Sequence, residues 1–444
     1  MDQTFMKTKP VIRLILTMSL PMVISMTVTS LYNIVDSCFV AQISESSMTA
    51  LSLVFPVQNV INAITIGFSV GISAAISFYL GAQKQESANI AATQGVLLSA
   101  VHGILLSIIC ISIMPSFLHM FTQDAEVIDL GLRYSKIAFS FAPIIALSMG
   151  YEKVFQSVGK MMMTMVSMLS GCILNIILDP IMIFGLGPMP AMGIEGAAFA
   201  TGIGQTVSLL FYLLFYFFRP IPAKVSFRYA KPSISMWKRL YATGVPASLN
   251  LALPSLLISS LNSILAGYSE IYIVILGIYY KLQTFLYLPA GGIVQGIRPL
   301  IGYNYGAGEY KRVKKIYSLS LFLAMVIMVI GTILCWTVPT NLMTLFTSNA
   351  ETIQAGSVAL QIISIGFIVS AVSVISSGAL EGLSMGGTSL LISLIRFIIT
   401  ILPIAYILSK KFGPIGVWHA FWISELITAM ISYILYHKKT SQVA

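Results

Sequence analysis

Twelve apolar runs, each long enough to cross the hydrocarbon core of a bilayer, leave this chain almost no choice of fold. About 20 apolar residues cross the ~30 Å core as a helix, and inside lipid a helix satisfies its own backbone N–H and C=O groups. The runs fall at 14–40, 49–80, 92–114, 131–157, 162–186, 193–218, 239–267, 272–303, 316–338, 352–380, 386–408 and 414–436. With 57% hydrophobic residues, 9% charged residues and a mean hydropathy of +0.90, a soluble globule is excluded. The sequence predicts an all-α membrane protein of twelve transmembrane helices in two pseudo-symmetric six-helix bundles.

The pseudo-symmetry is written as a repeat at one offset. Pro21 and Pro246, Gly67 and Gly292, and Gly71 and Gly296 are each 225 residues apart. At the same spacing GISAAISFYLGA from Gly71 meets GIRPLIGYNYGA from Gly296, and MFTQDAEVIDLG from Met120 meets LFTSNAETIQAG from Leu345. Two related bundles suit a transporter whose central site opens alternately to either side.

Basic residues orient the chain, because Lys and Arg accumulate in cytoplasmic loops. With both termini inside, 17 Lys and Arg fall in inner segments and only Arg133, Lys136, Lys410 and Lys411 outside. The net charge of +10 is then a matter of topology and anionic lipid headgroups rather than of a nucleic-acid partner. The segment from Arg219 to Arg239 carries six positive charges, no negative one, and Pro220, Pro222 and Pro232. It reads as a cytoplasmic strap, giving an N-terminal lobe over 1–218, a linker over 219–238 and a C-terminal lobe over 239–444. The first run follows a basic N-terminus but is too long for a signal peptide and is read as a retained helix. Cys38, Cys110, Cys172 and Cys335 show no ligand spacing and predict neither disulfide nor metal site. The four histidines show none either.

Ionisable groups at membrane depth are expensive and usually face a cavity, so the candidate chemistry lies with a few acids and bases. Asp36 shares a helical face with Thr29, Tyr32 and Asn33, a polar stripe in an apolar run. Asp179, in LNIILDPIMIFG, has Asn175 one turn earlier and Pro180 beside it. A carboxylate with an amide one turn away offers oxygen ligands to a hard cation or a seat for a proton. Neither acid recurs in the second half: Asp36 corresponds to Leu261 and Asp179 lies near Leu402, so the symmetric scaffold carries its ion site in the first bundle. Gln156 corresponds to Glu381 at the common offset, and Gln205 to Glu425 at 220. Tyr32, Asn33, Gln156, Gln205, Lys281, Gln283 and Glu381 are the candidate lining of a substrate cavity. Arg298, Arg396 and Glu425 complete the second-half charges, with Glu381 and Arg298 read as gate or snorkelling residues near the cytoplasmic ends. Glu152 and Lys153, adjacent in sequence, are expected to find partners elsewhere than in each other.

The pattern of Pro21 followed by Asp36 in SLYNIVDSCFVAQ resembles the multidrug and toxic compound extrusion (MATE) family. So do LNIILDPIMIFGLG, GIEGAAFATGIGQ from Gly193 and GIRPLIGYNYGAG from Gly296. The likeness covers essentially the whole chain and is closest to a bacterial branch with staphylococcal-type multidrug exporters. It implies a monomer in the bacterial cytoplasmic (inner) membrane, multi-pass with both termini cytoplasmic, without a cofactor. It implies export of amphipathic, mostly cationic compounds in exchange for H⁺ or Na⁺. Carried over by position, the cation-coupling residues are Asp36, Asn175, Asp179 and Thr201, with Pro21 as the bend of the first helix and no metal unless sodium sits at Asp36 and Asp179. Another branch carries a coupling glutamate in its seventh helix, whereas GVPASLNLALPS here has no acid. The alternative reading is a flippase for lipid or lipid-linked sugar of the same superfamily, disfavoured because such relatives have more helices and strongly cationic central cavities. A membrane-embedded transferase would need a DDxxD-like acidic cluster, and a channel a recognisable filter. Neither is present in the sequence.

Overall fold

The computed structural model describes residues 4–441, and among these all regular structure is helical. Ten single helices are long and apolar enough to cross a membrane, and two bent pairs bring the number to twelve. In chain order the spans are α1 (Val11–Ala41), α2 (Glu45–Gly81), α3 (Gln85–His119), the bent α4 (Ala125–Ser140 and Ala142–Ser157), α5 (Met161–Phe184) and α6 (Ile194–Phe218). The second six are α7 (Ile234–Ala266), α8 (Glu270–Gly306), α9 (Tyr310–Thr337), the bent α10 (Ala350–Ser364 and Phe367–Gly382), α11 (Gly386–Phe412) and α12 (Pro414–Ser441).

The repeat extends to details of helix geometry. Both α2 and α8 are 37 residues long, and their N-caps, Ser44 and Ser269, sit 225 residues apart and accept backbone N–H bonds from Ser47 and Ile271. Asp124 and Asn349 cap α4 and α10 in the same way. Such side chains satisfy N–H groups that the first turn leaves free. The bends also correspond: α4 turns by 41° at Phe141 and α10 by 55° near Gly366. The sequence reads each of these spans as one uninterrupted run. In α4 the break has a local cause, since Pro143 at the start of the second arm has no N–H to continue the ladder. Pro21, by contrast, lies inside an unbroken α1.

By contacts the chain divides into two compact units whose borders lie within α1 and α7 rather than in the strap. One unit is Ile24–Ser248 and the other contains Phe5–Val23 and the chain from Leu249. Chain order alone divides the molecule at 218 and 239, so the expected lobes exchange the N-terminal parts of their first helices. The repeated glycines explain this. A Cβ at Gly67 would lie 2.3 Å from Ser248 N and one at Gly71 2.3 Å from Leu240 O, which ties the N-terminal part of α7 to α2. Equivalently, a Cβ at Gly292 would lie 2.8 Å from Val23 N and one at Gly296 2.9 Å from Ser19 N, which ties the N-terminal part of α1 to α8. In both units a glycine pair allows backbone-to-backbone approach that any side chain would prevent.

The strap is fixed to the first unit by polar side chains of α3. Asn89 Oδ1 accepts from Lys224 N at 2.9 Å, Thr93 Oγ1 accepts from Ser226 N at 3.1 Å, and Gln94 Nε2 donates to Lys231 O at 2.7 Å. Elsewhere in this unit, Lys153 Nζ lies 2.7 Å from Glu152 Oε1 and 2.9 Å from Gln156 Oε1, and Gln156 Nε2 donates to Glu152 Oε1 at 2.7 Å. The adjacent acid and base therefore do pair, contrary to the expectation from helical spacing: buried together, two long side chains curl back to meet rather than leave either charge alone.

Candidate functional site

Asn175 and Asp179 lie one turn apart on α5, so their side chains share a face. Asn175 is 2% exposed and Asp179 fully buried. Asn175 Nδ2 donates both to Asp179 Oδ1 and to Thr201 Oγ1 of α6, each at 3.3 Å. That reach across helices depends on small residues: a Cβ at Gly204 would meet Gly171 O at 2.8 Å and Asn175 Cβ at 3.2 Å. Asn175, Asp179 and Thr201 thus form one connected group.

Asp36 of α1 completes it. Its carboxyl group comes within hydrogen-bonding reach of that of Asp179. Asp36 Oδ1 and Asp179 Oδ2 are both buried, and no N–H or O–H among the described residues donates to either. Two ionised carboxylates can only accept, and at this separation they repel. The arrangement is satisfied when a proton is shared between them or a cation bridges them. Asn175 Oδ1, also buried and without a donor, adds a third oxygen of the same kind.

Asp36 stands in the wall of a cavity of about 310 Å³ in the first unit, lined also by Tyr32, Asn33, Thr201 and Gln205, and Asp179 lies buried behind it. A narrower pocket of about 80 Å³ adjoins it, sharing Thr29, Tyr32, Thr201 and Gln205 and reaching Asn175. Of the residues selected from sequence, Asp36, Asn175, Asp179, Thr201, Tyr32, Asn33 and Gln205 are therefore brought together.

The others are not. Gln156 is buried in the cluster with Glu152 and Lys153 and is absent from both cavity walls. Its polarity serves an ion pair rather than a guest. Lys281 is exposed, with Nζ 5.9 Å from the Phe346 ring centroid, as a snorkelling base would be. Glu381 is tied up by Arg298 Nη2 at 2.5 Å, Asn250 Nδ2 at 3.1 Å and Ser389 Oγ at 3.1 Å. Gln283 lines a separate cavity within the second unit.

Two features of the first cavity escape the search for charges. Gln58, Asn59, Asn62 and Thr65 of α2 form part of its wall. The spacing of Gln58, Asn62 and Thr65 is that of one helical face, so the stripe was present to be read. Tyr134 of α4, 3% exposed, also lines it and carries no sequence signal beyond being one aromatic residue in an apolar run.

Comparison with known proteins bears on this site. A family model described as MatE matches residues 21–181 and 246–407, one stretch in each half. The chain is 26% identical over 432 residues to the multidrug export protein MepA of Staphylococcus aureus (strain bovine RF122 / ET3-1), covering 97% of this chain and 94% of that protein. It is 25% identical over 418 residues to MepA of Staphylococcus saprophyticus, covering 94% and 91%. Among solved structures, an outward-facing multidrug resistance MATE family transporter of the MOP superfamily superposes with a TM-score of 0.94 at 24% identity, covering 100% of this chain and 99% of that one. A MOP superfamily transporter from Pyrococcus furiosus gives 0.93 at the same identity and coverage.

Proposed function

The chain belongs to the MatE family, and from that membership we propose that it is a secondary active multidrug exporter in which protons or sodium ions bind at Asp36 and Asp179 and drive amphipathic, mostly cationic compounds out of the cell. It is a multi-pass membrane transporter rather than an enzyme. The observation that carries the coupling assignment is the pair of facing carboxyl groups with two buried oxygens that no protein donor reaches. The bound ion removes one of the pair's two negative charges and with it their mutual repulsion; its departure restores that repulsion, so occupancy and the packing of α1 against α5 are linked.

The cavity beside the carboxylates has the character of a site for flat cations. Tyr32 and Tyr134 offer aromatic faces, Asn33, Gln58, Asn62 and Gln205 offer amide oxygens, and Asp36 offers charge. A cationic guest and a coupling ion then compete for the same carboxylate, which is what exchange requires. The protein acts as a monomer in the bacterial cytoplasmic membrane with both termini in the cytoplasm, uses no cofactor, and works by alternating access.

Ethidium accumulation in everted vesicles tests this reading, with a pH gradient and a sodium gradient imposed in turn. The wild type is expected to respond to one gradient, and Asp36→Asn to lose at least about tenfold in rate while the protein level and melting temperature stay unchanged. A wild type indifferent to both gradients, or an Asp36→Asn protein with full activity, would refute it.

A further inference from the structure

The second unit holds a cavity of about 350 Å³ that the coupling site leaves unexplained, and a largely but not fully buried ion pair forms part of its wall. Arg396 Nε and Nη2 both donate to Glu425 Oε1, at 2.7 and 2.5 Å, with the two side chains 13% and 15% exposed. Both bonds fall on one oxygen. Glu425 Oε2 receives only a long contact from Ser373 Oγ at 3.5 Å. Tyr280, Gln283, Tyr287 and Phe421 line the same space, and the Tyr280 hydroxyl is buried without a hydrogen-bond partner.

The local backbone is built around this pair. Arg396 lies in a π-helical stretch of α11, Ile395–Thr400, a widened turn that proteins place disproportionately at functional sites. Thr400 Oγ1 donates to Ile395 O at 2.8 Å, and Ser424 Oγ of α12 donates to Arg396 O at 3.3 Å. These hydroxyls hold the widened turn and so fix where the guanidinium points.

The pair restricts what can enter. A guest that is only a cation would take Glu425 and leave Arg396 buried without its counter-charge, and an arginine cannot shed its proton. A guest that is only an anion would strand Glu425 in the same way. A molecule carrying both a carboxylate and a cationic nitrogen exchanges one ion pair for two and leaves nothing unmatched. Tyrosine and phenylalanine faces add stacking for an aromatic frame. We propose that this cavity is a second binding site, selective for aromatic zwitterions, in which Arg396 anchors the guest's carboxylate and Glu425 its cationic nitrogen. It goes beyond the exchange of cations at Asp36, and because it concerns equilibrium binding it stands or falls separately from coupled transport.

Two dyes that differ by one methyl group make the test: rhodamine 110, with a free carboxylate, and its cationic methyl ester, rhodamine 123. Fluorescence anisotropy is measured with the full-length protein in lipid nanodiscs. The wild type is expected to bind rhodamine 110, and the double variant Arg396→Gln with Glu425→Gln, which leaves no buried charge unpaired, to bind it at least about tenfold more weakly while its affinity for rhodamine 123 changes by less than about threefold. Arg396→Lys, which keeps the charge but not the two-pronged donor, is expected to weaken rhodamine 110 alone by several-fold and serves if the double variant does not fold. Equal losses for both dyes, or unchanged binding of rhodamine 110 in either variant, would overturn the proposal.

Discussion

Buried charges in this molecule divide into two kinds, and the division is made by hydrogen-bonding capacity rather than by depth. Glu152, Lys153 and Gln156 pair with one another. Asp36 and Asp179 instead present like charges to each other, so that the oxygen each keeps without a donor belongs to an acid with no base beside it, whereas the free Glu152 Oε2 belongs to an acid paired with a lysine. The first arrangement is structural, and the second is the one to which the proposed function assigns the coupling ion. Removing one partner of the structural pair strands the other. Glu152→Gln or Lys153→Met alone is expected to cost about 3–5 kcal/mol, and the double variant to recover most of that loss. Thermal melts of the three proteins in detergent measure it; single variants as stable as the wild type would show that the cluster is solvated rather than buried. Sequence spacing singled out Asp36, Asn175 and Asp179, which the structure brings together, because a carboxylate in an apolar run is conspicuous. It misassigned Gln156 because an amide in a helix looks the same whether it faces a guest or a neighbouring ion pair.

At the scale of elements, the 225-residue repeat fixes not only where helices lie but how their connections turn. Gln83 and Gly308 occupy equivalent turns with φ of 58° and 74°, and Gly159 and Ser384 do so with 74° and 60°. Each half therefore has a left-handed position filled by glycine in one copy and by a side-chain-bearing residue in the other. Such residues cost roughly 1–2 kcal/mol in that conformation, which glycine avoids. Gln83→Gly and Ser384→Gly are each expected to stabilise the protein by about 1 kcal/mol, read as a rise of about 1–3 °C in melting temperature. Gly308→Gln, at a position where a Cβ meets nothing within 4 Å, is expected to lower it through the backbone alone. If glycine at 83 and 384 lowers the melting temperature, the side chains there make contacts worth more than the strain. The bends of α4 and α10 were not legible in hydropathy, because an apolar run stays apolar across a break. Pro143 was the available sign in α4, whereas the α10 break falls beside Gly366, a glycine that allows close approach to Trp422, where a Cβ would lie 2.9 Å from Trp422 Cα.

At the scale of the whole molecule, a duplicated scaffold carries unequal chemistry. The length of α2 and α8, the caps, the bends and the glycine pairs at 67 and 71 and at 292 and 296 recur, while among the described residues the facing carboxylates occur in the first unit alone. The repeat was legible because packing constrains many positions at once and leaves matches spread along the chain. The exchange of the N-terminal parts of α1 and α7 was not, since hydropathy records that a segment is buried and not which helix buries it. Two acids within the second unit's helices are instead paired with arginines, Glu381 with Arg298 and Glu425 with Arg396. If coupling resides in the first unit, the Arg298 and Glu381 pair is replaceable as a pair. The double variant Arg298→Met with Glu381→Gln removes both charges and leaves no uncompensated one. Its gradient-driven ethidium transport is expected to stay within about threefold of the wild type, against the loss of at least about tenfold expected of Asp36→Asn. The comparison is made at matched protein level in the same vesicles. A double variant that is folded and monodisperse yet uncoupled would place part of the ion path in the second unit, and the chemical asymmetry of the two halves would then be one of residue type rather than of role.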